Sequence, residues 1–261
     1  MREPSRSRRR LFLLAGIVVV AGVGVALRGR IAQDASYHGF ADQRTILGIP
    51  NFWNVASNLP FLLVGLAGFV ALLSERGVRG TVPALRPAYA MFFVGTILVA
   101  FGSAYYHLAP SNETLVWDRL PMTVAFMSFF AVILGEHLGS RIGRRSLPFL
   151  LLLGASSVLY WRYTESRGNG DLRPYFVVQF LPLVLVPLIL LLFPSPFTRP
   201  YFVWCVLLAY AVAKVLEAFD APLYRALGVS GHTLKHFAAA AGLSCVVVAI
   251  RRREPRGMEA T

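Results

Sequence analysis

Eight apolar runs, each about as long as a bilayer is thick, dictate what this chain can become. They lie at about 11–27, 53–74, 87–107, 120–138, 146–163, 174–193, 201–219 and 232–250. A helix needs about 20 apolar residues to cross the hydrocarbon core. Backbone amides cannot be left unpaired in lipid, so runs of this length form helices. Composition agrees: 56% of the residues are hydrophobic and 15% are charged, against about 25% charged in a soluble domain. The runs are joined by short loops, with no second domain, long linker or internal repeat. The expectation is an all-α integral membrane protein.

The formal net charge is +13. Such an excess can signal nucleic acid, but here the basic residues cluster in short tracts beside apolar spans, which suits the cytoplasmic face of a membrane protein. No nucleic-acid partner is expected. The first run follows MREPSRSRRR, the basic start and apolar body of a secretory signal. Its 17 residues are long for one, and RGRIAQDAS offers no clean cleavage site, so it reads as an uncleaved anchor. With the N-terminus inside, the inner segments and adjoining span ends hold 16 Lys/Arg against 5 Asp/Glu, and the other side 10 against 8. Both termini are therefore expected in the cytoplasm. Cys205 and Cys245 fall inside apolar runs and read as packing residues rather than a disulfide or metal pair.

Polar, ionisable groups are costly at membrane depth and usually mark a site. The stretch GSAYYHLAPSNETLVWDR places Ser103 and His107 at the outer end of the third run and Asp118 at the start of the fourth. HTLKH opens the eighth, so His232 and His236 reach the same side. Their i, i+4 spacing puts both on one helix face, where they can chelate one metal ion. His107 is the natural third ligand, because His137 is expected at the inner side and His38 in an outer loop. Three histidines with an open fourth position make a hydrolytic zinc site.

Other readings of these residues stand beside that one. Ser103 could assist an oxyanion or bond back to its own helix. Asp118 could be a general base, a helix cap or the partner of Arg119. Asn54, Ser57 and Asn58 form a stripe on the second run that reads as helix-to-helix glue. Lys214 and Glu217 are spaced to pair along one turn, and Glu165, Asp171 and Arg173 sit in a Gly-rich outer loop.

Taken together, NFWNVASN, GSAYYHLAPSNETLVWDR and SGHTLKH resemble the alkaline ceramidase family, part of a superfamily of seven-helix membrane hydrolases that includes the adiponectin and progestin receptors and hemolysin III proteins. The resemblance covers about residues 37 to 250. It implies a seven-helix core bundle plus one N-terminal transmembrane helix: residues 1–30 as tail and anchor, 31–252 as the ceramidase-like domain, and 253–261 as a cytoplasmic tail. It further implies zinc held by His107, His232 and His236, Asp118 as proton shuttle, Ser103 at the oxyanion, and hydrolysis of a ceramide-like lipid amide to a long-chain base and a fatty acid. Asn51 stands where the eukaryotic members carry a calcium-site glutamate, and only Asp34 and Asp42 are acidic nearby, so calcium is not expected. Basic tails and compact loops suggest a bacterial inner-membrane member. The competing readings are a receptor or sensor of the same superfamily, or a transporter or structural membrane protein. Short inner loops leave little room for a signalling surface, and no repeated halves suggest a transporter.

Overall fold

The computed structural model describes residues 3–256, so the ends of both basic tails lie outside the described residues. Eight helices are long and apolar enough to cross a membrane, and no strand forms among the described residues. In chain order the helices are α1 (Glu3–Leu27), α2 (Phe52–Ala56), α3 (Leu59–Leu73), α4 (Glu75–Arg79), α5 (Arg86–Leu108), α6 (Leu115–Leu138), α7 (Ser140–Ser166), α8 (Arg173–Leu192), α9 (Tyr201–Ala218), α10 (Asp220–Leu227) and α11 (Gly231–Arg252).

The spans follow the apolar runs, with three instructive differences. The second span is broken: Pro60 in the first turn of α3 has no N–H to offer the Ala56 carbonyl that ends α2. Beside the break the Asn54 carbonyl accepts from the Asn58 side-chain amide at 2.7 Å and the Ser57 hydroxyl at 3.3 Å, as a break at membrane depth requires. The fourth span starts at Leu115, so Asp118 lies inside the first turn of α6 rather than ahead of it. The fifth starts at Ser140, because Gly139 reverses the chain in one residue with φ of 130°. The basic tract at 141–145 therefore belongs to the first turns of α7 instead of a loop.

Helix α1 packs mainly on α8. Leu14 is buried against Leu185, Ile189 and Phe193, while Phe12, Val19 and Val20 are exposed, as expected of an added helix facing lipid. Its end is tied down by Arg173, which donates to the Arg28 carbonyl at 3.0 Å and pairs with Asp171 at 2.8 Å. In the core, α11 lies between α9 and α3, α3 packs on α5, α5 on α6, and α6 on α7 and α8. The backbones of α8 and α9 stay apart, joined across the gap by Gln179 donating to the Tyr210 hydroxyl at 3.1 Å. A long space is left between α5, α6, α8, α9 and α11. Cys205 is exposed on α9, contrary to the packing role expected of it, and both cysteines are free.

The end of the bundle remote from His107 is closed by a buried ion pair. Arg253 donates to both Glu136 oxygens, at 2.5 and 3.1 Å, to the Gly80 carbonyl at 2.6 Å, and contacts the Tyr89 hydroxyl. It joins the end of α11 to α4, α5 and α6. Removing one partner of such a pair leaves a buried charge, so Arg253→Ala should cost about 3–5 kcal/mol, seen as a lowered melting temperature in detergent. The charge asymmetry also predicts that Arg167 faces outward and Arg145 the cytoplasm. Both are exposed. In a background lacking Cys205 and Cys245, Arg167→Cys should react with an impermeant maleimide in intact cells, and Arg145→Cys only after lysis. The reverse pattern would invert the topology.

Candidate metal centre

Three polar clamps set the imidazoles in place. Asn51, in a left-handed conformation at φ 47°, donates its side-chain amide to the His107 carbonyl at 2.9 Å and fixes the last turn of α5. The start of α11 is held by Asp220, whose carboxylate accepts the His232 amide at 2.8 Å and the Ala41 amide at 2.9 Å. Asn54 accepts from the Thr233 hydroxyl at 3.0 Å, and Ser230 caps the helix through the Thr233 amide. Close approach completes the seating: a Cβ on Gly231 would fall 2.1 Å from the Leu216 carbonyl oxygen, and one on Gly102 1.9 Å from that of Trp117. Gly231 lets α9 and α10 crowd the start of α11. Gly102 lets α5 and α6 touch where Ser103 and Asp118 stand.

The result is a nearly equilateral cluster. Ring centroids of His107, His232 and His236 are 4.8, 5.0 and 5.2 Å apart. All three rings are buried, and one nitrogen of each lies within 4.8 Å of the others. Phe40 covers the cluster, 4.7 Å from His107 and 4.4 Å from His232. Nδ1 of His236 meets the Ser57 hydroxyl at 2.7 Å, which leaves Nε2 for a ligand. Nε2 of His107 and Nε2 of His232 face each other at 3.3 Å, and Nδ1 of His107 is sealed in without a partner. Two zinc–nitrogen bonds of about 2.0–2.1 Å at a tetrahedral angle separate their nitrogens by about 3.3 Å. The donor set and spacing therefore fit zinc.

Ser103 and Asp118 line the same cavity as the histidines, so the structure brings all five residues expected of a site together. Ser103 makes no bond back to its helix of the kind Thr96 makes to Phe92; its hydroxyl neighbours the Asp118 carboxylate. Asp118 caps no helix and forms no ion pair with Arg119, which turns instead onto the rings of Trp161 and Tyr175. The cavity holds about 460 Å³. It runs from Gln33 and Tyr37 past the histidines to Phe92 and Phe129. His107 and Phe92 are 15 residues apart on α5, about 22 Å at helical rise.

Several contributors escaped the sequence reading. Ser57 belongs to the stripe read as glue, and it does join helices, but it also aims a histidine. Lys214 pairs with Glu217 as expected, and Glu217 also meets Lys235 at 2.5 Å across helices. Asp220 and Phe40 carried no local signal. His38 and His137 stand apart from the cluster, bonded to Tyr106 and to the Phe193 carbonyl.

The ceramidase family model matches residues 47–250. The chain belongs to the ceramidase family. Comparison with individual curated proteins and with solved structures gives no match. The family match begins after α1, runs through every span that lines the cavity, and includes all five site residues. Membership makes this ceramidase-family protein an amidohydrolase with a lipid substrate in a membrane setting. The histidine cluster at the head of its cavity could hold a metal ion.

Elemental analysis of purified protein should therefore find about one metal ion per chain, lost in His107→Ala, His232→Ala and His236→Ala. Ser57→Ala should keep the fold but weaken metal affinity about 10- to 100-fold, the usual effect of removing a group that orients a ligand. Unchanged affinity would make Ser57 a packing residue only.

Proposed function

We propose that this protein is a zinc-dependent intramembrane hydrolase that cleaves the amide bond of a ceramide-like lipid to a long-chain base and a fatty acid. The observation that carries the proposal is the meeting of three buried imidazoles with the head of a long, apolar cavity. An alkyl chain can lie along Phe92, Phe129 and Val186 while its amide rests beside the histidines. The proposed setting is a bacterial inner membrane, with the site toward the outer face and residues 31–252 as the working unit.

His107, His232 and His236 would hold the ion. Zinc held there would supply Lewis acidity toward a carbonyl oxygen and toward a water, whose pKa such an ion brings to about 7. Asp118 receives the proton of the attacking water and returns it to the leaving amine, and Ser103 donates a hydrogen bond to the amide oxygen as negative charge gathers on it. Phe40 excludes bulk water above the rings, which strengthens each of these electrostatic contacts.

Calcium has no part in this proposal. Arg44 engages Asp42 through both carboxylate oxygens, at 2.9 and 2.6 Å, and holds that carboxyl below its usual range. Asp34 turns its carboxylate onto the Ser36 amide, and Asn51 is occupied with the His107 carbonyl. Arg44 neutralises the Asp42 carboxylate through both oxygens and an amide takes one oxygen of Asp34, where a hard cation needs several free ones.

Asp118→Asn tests the chemistry. It should retain zinc and lose about 10²–10⁴-fold in turnover of a lipid amide, because the amide side chain cannot accept the proton. Wild-type turnover with zinc bound would remove Asp118 from the mechanism.

A further inference from the structure

A buried arginine without a carboxylate stands beside the histidines. Arg119 follows Asp118 on α6 but points round the helix toward α7 and α8. Its guanidinium lies 4.4 Å from the Trp161 ring, 4.8 Å from Tyr175 and 5.7 Å from Tyr37. Nη2 donates to the Gln33 side-chain oxygen at 2.6 Å. Nη1 is shut off from solvent and has no acceptor. The residue is 6% exposed and lines the same cavity as the three histidines.

The other charges of that cavity are accounted for differently. Lys214 and Lys235 share Glu217. Asp34 accepts from the Ser36 amide, and Asp118 neighbours Ser103. No carboxylate among the described residues forms an ion pair with Arg119. A buried guanidinium is costly without a counter-charge, and aromatic faces offset only part of that cost. Its planar fork suits a carboxylate or phosphate that accepts two hydrogen bonds. Gln33 and Tyr37, which meet the guanidinium, line the same cavity as Arg119 and the three histidines, so the fork belongs to the wall of the space that a lipid would fill.

We infer that Arg119 receives an anionic group, a carboxylate or phosphate, on the head of the lipid amide itself. The preferred substrate is then a ceramide-like lipid amide that carries an anionic group on its head, rather than neutral ceramide. The inference rests on the hydrolase proposal for the class of substrate, and its test keeps the two apart.

Zinc-loaded protein in phosphatidylcholine nanodiscs is offered two matched pairs: N-oleoylglycine with its methyl ester, and ceramide 1-phosphate with ceramide. Hydrolysis and displacement of a fluorescent lipid are read separately. Wild type should prefer the anionic member of at least one pair by about 10- to 100-fold, the range of a charge-assisted hydrogen bond. Arg119→Gln should bring that ratio to within about twofold of one, and Arg119→Lys should restore part of it. Equal handling of both pairs by wild type, or a preference that survives Arg119→Gln, overturns the inference. So does displacement by phosphatidylglycerol as effective as by the anionic amides, since that would make Arg119 a contact for bilayer lipid. If no amide is cleaved, the hydrolase proposal fails while displacement still decides the role of Arg119. Should Arg119→Gln fail to fold, the preference of wild type and of Arg119→Lys decides.

Discussion

The position of the histidine cluster depends on how the first turn of α11 is satisfied. A helix start leaves four amides without internal partners, and in a low-dielectric setting each needs an acceptor. Asp220 takes the His232 amide, Ser230 takes the Thr233 amide, and Asn54 takes the Thr233 hydroxyl. The same Asp220 holds Ala41, one residue after the Phe40 ring that covers the histidines. Satisfying a helix terminus thus fixes two of the three clustered histidines and their cover together. Had the start of α11 been capped by water, His232 and His236 would sit where the bundle is wet and loose.

A second constraint is the separation of α8 from α9. Most neighbouring spans in this bundle touch along their lengths, several through glycine, as at Gly95 and Gly102 between α5 and α6. Between α8 and α9 the contact is reduced to one side-chain bridge and apolar packing toward the end remote from the histidines. The space that remains is apolar at depth and polar at one end. That polarity gradient is the same as a lipid's, so a lipid can be oriented by solvation alone, with its scissile region beside the histidines.

Local signals carried far enough to locate the site but not to build it. His232 and His236 share a helix face by spacing, and alternating span direction puts them at the same end as His107. Whether three imidazoles at one depth actually converge depends on the packing of α5 against α3 and of α3 against α11, which involves residues more than a hundred positions apart. Ser57 lay in a stripe that looked like glue, and only the break between α2 and α3 turns it toward His236. Arg119 looked like the neighbour and partner of Asp118. One residue is about 100° of helix, so the two side chains reach different walls, and the aromatic rings that receive Arg119 come from α7 and α8.

By itself, then, the sequence determined that the chain forms eight helices long and apolar enough to cross a bilayer, because apolar length and the need to pair every backbone amide leave no other choice. It also determined which histidines could share a face and an end, since helical spacing and alternating span direction are local rules. Tertiary structure alone decided that the three imidazoles cluster with one nitrogen of each within 4.8 Å of the others, that Asp118 lines their cavity, that Arg119 is buried without an ion pair, and that the cavity extends from the cluster to Phe92. Those outcomes depend on contacts between helices remote in sequence, where a glycine that admits a close approach or a carboxylate that accepts a remote amide sets the geometry to within an ångström.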